Sequence, residues 1–400
     1  MIWFELKKIF ERKLNLAAMA AGYAVMAVCV YAYISHATFY DAKTDSYVEG
    51  IKAIRMGQES QNAMTDVVSE QYITDMLKKI QSSGLDLESD EGYSEVIRHY
   101  GDIFYFVARN YTDMKESYLN NNVLMETDLS SGAHFYEQRM KKVEDFLNDP
   151  SADFSAAEKE YWMKKAGKVK TPFRWGDITV MDIIRELVSV GFYLVFVIII
   201  CVSSVFSSEN ESGAASLLLT TKYGKSRLAA AKTVVSVLFS AVYLSVGILL
   251  SVGVAAVLLG FSGADLPVQL WNSVIPYQMT AAQACICTFA VILLISISIT
   301  LFLLMCSAHI HSSLTALAIG MALMVAPVFL PNGKSNGIWY HISALFPVRA
   351  MNFKDVLKTF LSYPTGSHVI SYPVMIVAVY VLVAVVSLLF IKRGFVKSMN

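Results

Sequence analysis

Long apolar runs alternate with polar stretches along this chain, and the lengths of the apolar runs set its class. Six runs approach the roughly 20 residues that a helix needs to cross a hydrocarbon core of about 30 Å: residues 14–34, 187–206, 233–259, 281–305, 314–330 and 372–391. The fifth is the shortest and carries Pro327. The pattern predicts an all-α integral membrane protein. Its first transmembrane helix occupies 14–35, and five more lie within 187–400. Ahead of the first span, Ile2, Trp3, Leu6, Ile9 and Phe10 share one helical face, and Glu5, Lys7, Lys8, Glu11 and Arg12 fall elsewhere. This predicts an amphipathic interfacial helix over 1–13. The apolar run behind it exceeds the ~7–15 residues of a signal-peptide core. A retained span is therefore expected, although Ser35-His36-Ala37 would pass as a cleavage site.

The polar stretch over 36–186 is about 150 residues, enough for a folded domain. Ile73, Met76, Leu77 and Ile80 keep helical spacing, as do Tyr136, Met140, Val143, Phe146 and Leu147. We expect a mainly helical domain with turns at 84–90, 120–122 and 149–153. An extended return over 169–177, with Pro172 and Gly176, leads back to the membrane. Residues 331–371 hold Trp339, Tyr340, Phe346, Pro347 and Phe353, then an amphipathic piece through Leu357, Phe360 and Leu361. Two short helices broken at Pro347 and dipping into the outer leaflet would fit. An aromatic interface belt fits equally.

Charge adds orientation. The formal net charge is zero, but its distribution is uneven. Lys7, Lys8, Arg12 and Lys13 precede the first span; Lys222, Lys225, Arg227 and Lys232 separate the second from the third; Lys392, Arg393 and Lys397 follow the sixth. Cations in short loops mark the cytoplasmic side, so both termini are expected there. The 36–186 domain and the loops over 262–280 and 331–371 then face outward. Lys334, Arg349, Lys354 and Lys358 in the last outer loop run against the trend. Outside 36–186 the only acids are Glu5, Glu11, Glu209, Glu211, Asp265 and Asp355. The acidic excess of the domain either attracts a cationic substrate such as a basic peptide or is a solvated helical surface. Cys29, Cys201, Cys285, Cys287 and Cys306 all lie in or beside apolar runs. With no disulfide framework in the domain, a bacterial plasma membrane is the expected setting.

Candidate chemistry is sparse. Gly224-Lys225-Ser226 resembles the end of a phosphate-binding loop, but the glycine required five residues earlier is Leu219. ATP hydrolysis by this chain is not expected, and no catalytic, cofactor or metal residue is assigned. Cys306, His309 and His311 cluster in sequence, yet the two histidines do not share a helix face and no carboxylate is near. The predicted span cores lack Asp, Glu, Lys and Arg, which argues against an ion-coupled carrier. Ser296, Ser298 and Thr300 leave sodium binding open. Ala316 and Gly320, with Ala318 and Ala322 one step round, repeat at four-residue spacing. Such a stripe suits a dimer seam, a moving gate or ordinary packing.

The 207–232 segment carries most of the functional signal. It opens with Glu209 and Glu211, passes through a small and aliphatic middle, and ends on cations. It is long enough for a helix along the membrane surface that a soluble partner could grip. Here the chain resembles the permease subunits of ATP-binding-cassette type-2 exporters. Their acid, glycine, aliphatic pair, threonine, basic residue and lysine correspond to Glu209, Gly213, Leu217, Leu218, Thr220 or Thr221, Arg227 and Lys232. Residues 341–353 are similar to the family's outer segment. The chain departs from the family in having Thr221 or Lys222 where a proline often follows the threonine, and in its long first outer loop. The resemblance implies a non-catalytic half-transporter in a lipid bilayer, with no nucleic acid involved. A second permease subunit, identical or related, would complete the path, and separate ATPase subunits would carry ATP and Mg. The seven ATPase-coupling positions would be Glu209, Gly213, Leu217, Leu218, Thr221, Arg227 and Lys232. The cargo would be amphipathic: a peptide antibiotic, a lipid or a hydrophobic drug, with antimicrobial peptide resistance as one setting. The alternative is a mechanotransmission protein, in which ATPase motion reaches the outer domain and nothing is transported.

Overall fold

Most of the apolar runs become long helices. The computed structural model describes residues 1–41, 44, 46–114, 120, 122–211, 213, 227–310, 312–330, 337–352, 357, 360–366 and 368–397. The chain is mostly helical. Five helices are long and apolar enough to cross a membrane: Lys13–Ser35, Thr179–Glu209, Arg227–Leu259, Ala281–His309 and Tyr372–Ile391. The expected span at 314–330 is shorter than predicted. It is a 13-residue α-helix, Ser313–Val325, followed by a 3-10 turn at Ala326–Val328 that takes up Pro327. At about 1.5 Å per residue, that α-helix falls short of a ~30 Å core.

The second span also differs from the expectation. Its helix starts at Thr179 rather than Leu187, and its first turns carry Asp182, Arg185 and Glu186. Arg185 pairs with Asp182 and Glu186, each at 3.0 Å. Its guanidinium lies 4.8 Å from the ring centre of Trp271. These three charges precede the predicted core at 187–206, which holds no Asp, Glu, Lys or Arg. The paired charges lie before the apolar part of the helix, Phe192–Val202.

Ala281–His309 is central: it packs on Tyr372–Lys397, Arg227–Leu259, Phe192–Val202 and Ser313–Val325. Ile292, Ile295, Ile299 and Leu303 are buried there. Two buried hydroxyls of the bundle find partners across helices, in keeping with the cost of leaving buried polar groups unpaired. Thr300 donates to Ser240 Oγ at 2.8 Å, and Ser298 donates to the Tyr380 carbonyl at 2.9 Å.

The polar segment between Ser35 and Thr179 is helical as the periodicity predicts. Ser69 and Ser89 cap the Glu70–Ser83 and Asp90–Tyr100 helices, and Ser155 with Glu158 forms a capping box on Ala156–Ala166. Two small antiparallel pairs complete it: Thr38–Asp41 with Ser46–Glu49, and Val67–Val68 with Phe173–Arg174. The second lies in the stretch predicted to be extended. In the last loop, the helices Ile338–Ala344 and Pro347–Ala350 meet where Pro347 was expected to break them. A hairpin, Ser362–Thr365 with His368–Ser371, follows them and was not anticipated.

This domain is braced against one end of the bundle. Trp162 is fully buried and donates to Ser362 Oγ at 3.1 Å; Ser362 in turn donates to Glu158 at 2.8 Å. Arg139, 1% exposed, donates from Nε to the Ser273 carbonyl at 2.5 Å. Burial pushes its guanidinium down to about 10. Val143, Leu147 and Trp162 share one apolar cluster with Val274, Tyr277 and Phe360.

Candidate functional site

At the opposite end of the bundle, three elements converge: the Ile2–Glu11 helix, the short Ser207–Glu211 helix that follows Phe192–Val202, and the first turns of Arg227–Leu259. Each supplies charge. Lys232 Nζ lies 2.9 Å from Glu209 Oε1 and 3.2 Å from Glu5 Oε2, and donates to the Val205 carbonyl at 2.7 Å. Lys8 bridges the same two carboxylates, 2.8 Å from Glu5 and 3.0 Å from Glu209. Two cations and two anions alternate, so each charge removed from water faces opposite charge. Lys232 is 2% exposed, Glu5 5% and Glu209 6%. Burial alone would lower the Lys8 pKa. Hydrogen bonds and charge from Glu5 and Glu209 outweigh it, and the ammonium is held above its usual range.

A cleft of about 430 Å³ opens over this network, with Phe4, Arg12 and Ser208 also on its wall. Arg12 donates to Ser204 Oγ, and Asn15 donates to the Ile9 carbonyl at 3.0 Å, folding the entry helix onto the first span. Glu211 works on the other side. It accepts from the backbone N–H and hydroxyl of Ser313 at 2.6 and 2.9 Å, holding the start of the Ser313–Val325 helix. Ser207 and Ser307 are hydrogen-bonded through their hydroxyls at 3.2 Å.

The structure thus brings Glu209 and Lys232 together and pins the two ends of the 209–232 segment 2.9 Å apart. Arg227 is exposed at the first position of the long helix. Arg227 and Lys232, expected within a loop, are the first turns of the third span. Gly213 has φ +70°, a left-handed backbone that favours glycine. Leu217, Leu218, Thr220 and Thr221 lie outside the described residues, as do Lys222, Lys225 and His311. Ala316 and Gly320 are both buried within the chain; a Cβ on Gly320 would stand 2.7 Å from Ile199 Cγ2 and 2.8 Å from Leu303 Cδ2.

Glu5 and Lys8 were not read as site residues. Helical period places Glu5 off the apolar face, but the helix docks on protein there, and Glu5 is buried while Trp3 is 76% exposed. A charge of the right sign two hundred positions away leaves no local sequence signal. Among known proteins, no family model matches the chain and no curated sequence resembles it.

Proposed function

We propose that the chain is the membrane subunit of an ATP-driven exporter of the ATP-binding-cassette type-2 kind, moving an amphipathic substrate out of a bacterial cell. A separate ATPase holds ATP and Mg, and a second permease subunit completes the path. Both termini and the 209–232 segment lie on the cytoplasmic side, and the 36–186 domain lies outside. In this reading six segments traverse the membrane, with Ser313–Val325 as a short one. The observation that carries the proposal is the buried Glu5–Lys8–Glu209–Lys232 network. A partner pressing on the segment between its pinned ends moves the entry helix and the second and third spans as one lever. ATP binding elsewhere then shifts the population between inward and outward states. The brace between Trp162, Ser362 and Glu158 favours a second reading, in which the same motion is relayed to the outer domain and nothing is transported.

The test is reconstitution with the ATPase in vesicles. Arg227→Ala is expected to lower transport or substrate-stimulated ATPase at least several-fold at normal expression, Glu209→Ala to do so together with the stability loss of a broken buried pair, and Arg227→Lys is not expected to restore a bidentate contact. Lys170→Ala in the polar domain is the silent control. ATPase control without flux selects the second reading. Normal transport by both alanine variants overturns the lever.

A further inference from the structure

A second cavity, of about 600 Å³, lies where the polar domain meets the bundle. Its walls come from the Thr38–Asp41 and Ser46–Glu49 strands, the helices Gly50–Asn62 and Asp90–Tyr100, and the residues entering the second span. That volume is typical of small-ligand sites. Two buried acceptors on its wall lack donors. Asp177 is 2% exposed; its Oδ1 accepts from Thr179 Oγ1 at 2.7 Å, and its Oδ2 has no hydrogen-bond partner. Gln61 is 5% exposed, and its Oε1 has none either. The Asp177 backbone N–H donates to Asn62 Oδ1 at 3.0 Å, tying Asp177 to the residue next to Gln61. Buried acceptors without donors are costly, and here both ask for N–H or O–H groups from a third party.

The charge and the aromatics narrow that party. Asp41, Glu59 and Asp102 join Asp177 around the cavity, facing one described cation, Arg98. Arg98 is already engaged, 5.7 Å over the Tyr40 ring and 3.0 Å from Glu95. Burial raises the Asp177 carboxyl; hydrogen bonds from Thr179 oppose this, and the charge of Asp102 adds to it. Tyr47, Tyr93 and Tyr105 supply ring surface, which attracts cations. The aromatic wall points to an organic ion, whose alkyl body can lie against the rings.

We propose that this cavity binds a small organic cation. A primary alkylammonium or guanidinium group donates to Asp177 Oδ2 and Gln61 Oε1, and its alkyl body lies against the tyrosines. The site stands independently of the exporter reading.

Calorimetry on the purified full chain in detergent tests it, with n-butylammonium, n-butylguanidinium, tetramethylammonium and n-butanol as probes. Saturable one-site binding of butylammonium or butylguanidinium is expected, and the tighter of the two shows whether the natural group is lysine-like or arginine-like. Tetramethylammonium, which has charge but no N–H, should bind at least ten-fold more weakly, and butanol not at all. Asp177→Asn should weaken binding at least ten-fold, and Tyr47→Ala, at a position 74% exposed, several-fold with an unchanged melting temperature. If Asp177→Asn does not fold, Asp102→Asn decides, with the same loss expected. The proposal is overturned by no saturable binding up to millimolar probe. Equal affinity for tetramethylammonium, wild-type affinity in the foldable carboxamide variant, or displacement by equimolar Mg²⁺ would each do the same.

Discussion

At the scale of single residues, Lys232 shows how a charge is kept out of water. Its ammonium meets Glu5, Glu209 and the Val205 carbonyl within 3.2 Å. Truncating one partner of a buried ion pair typically costs about 3–5 kcal/mol, because the charges left behind stay buried. Lys232→Ala should therefore lower unfolding stability in detergent by about that much. Adding Glu5→Gln and Glu209→Gln should recover part of it, as expected of coupled neighbours. Lys7→Ala, which breaks an exposed pair with Glu11, should leave the denaturation midpoint unchanged. An equal response to Lys232→Ala and Lys7→Ala would mean that the network has no structural role. Part of this was legible beforehand: Glu209 and Lys232 bound a charged segment, and the pattern singled them out. Their neighbours Glu5 and Lys8 were not legible, since amphipathic period assigns a charge to the polar face without saying whether that face meets water or protein. Gln61 and Asp177 were equally silent, because an orphaned acceptor is a property of three-dimensional neighbours.

At the scale of elements, hydrophobic length predicted existence well and boundaries less well. The second span starts early because Asp182, Arg185 and Glu186 depress local hydropathy, while their mutual pairing lets the helix carry them. The fifth apolar run ends early because Pro327 cannot continue an α-helix, and the chain tightens into a 3-10 turn there. That short helix also decides how its small residues are used. Gly320 lies against Ile199 and Leu303, with no room for a Cβ. Leu314, at 73%, and Val325, at 40%, form part of its exposed surface. Gly320→Val should thus act as overpacking, costing about 1–3 kcal/mol, and should lower the melting temperature with no change in oligomeric mass by light scattering. A dimer lost at an unchanged melting temperature would restore the seam interpretation of Ala316 and Gly320.

At the scale of the whole molecule, the polar domain and the helical bundle share buried surface rather than a tether. Val143, Leu147 and Trp162 from the domain pack in one cluster with Val274 and Tyr277, which precede the Ala281–His309 helix, and with Phe360, which precedes the last hairpin. Trp162 holds this junction twice. Its ring packs 5.5 Å from that of Phe360, and its indole N–H donates to Ser362, which is anchored to Glu158. A domain attached this way cannot move without the loops that lead into the spans. Under the proposed function, motion begun at the Glu209–Lys232 pin would travel to the far end along the Arg227–Leu259 helix, which packs on Ala281–His309. The consequence is measurable as cooperativity. Trp162→Ala should cost about 3–5 kcal/mol, the usual effect of emptying a buried aromatic site. Trp162→Phe, which keeps most of the ring and loses the donor, should cost less. In a thermal melt followed both by tryptophan fluorescence and by far-ultraviolet circular dichroism, the wild type should show one coincident transition. Trp162→Ala should shift that transition as a whole or split it into domain and bundle steps. A wild type that already melts in two separate steps, with Trp162→Ala displacing only the domain step, would show that the domain is an independent appendage and that the junction transmits nothing.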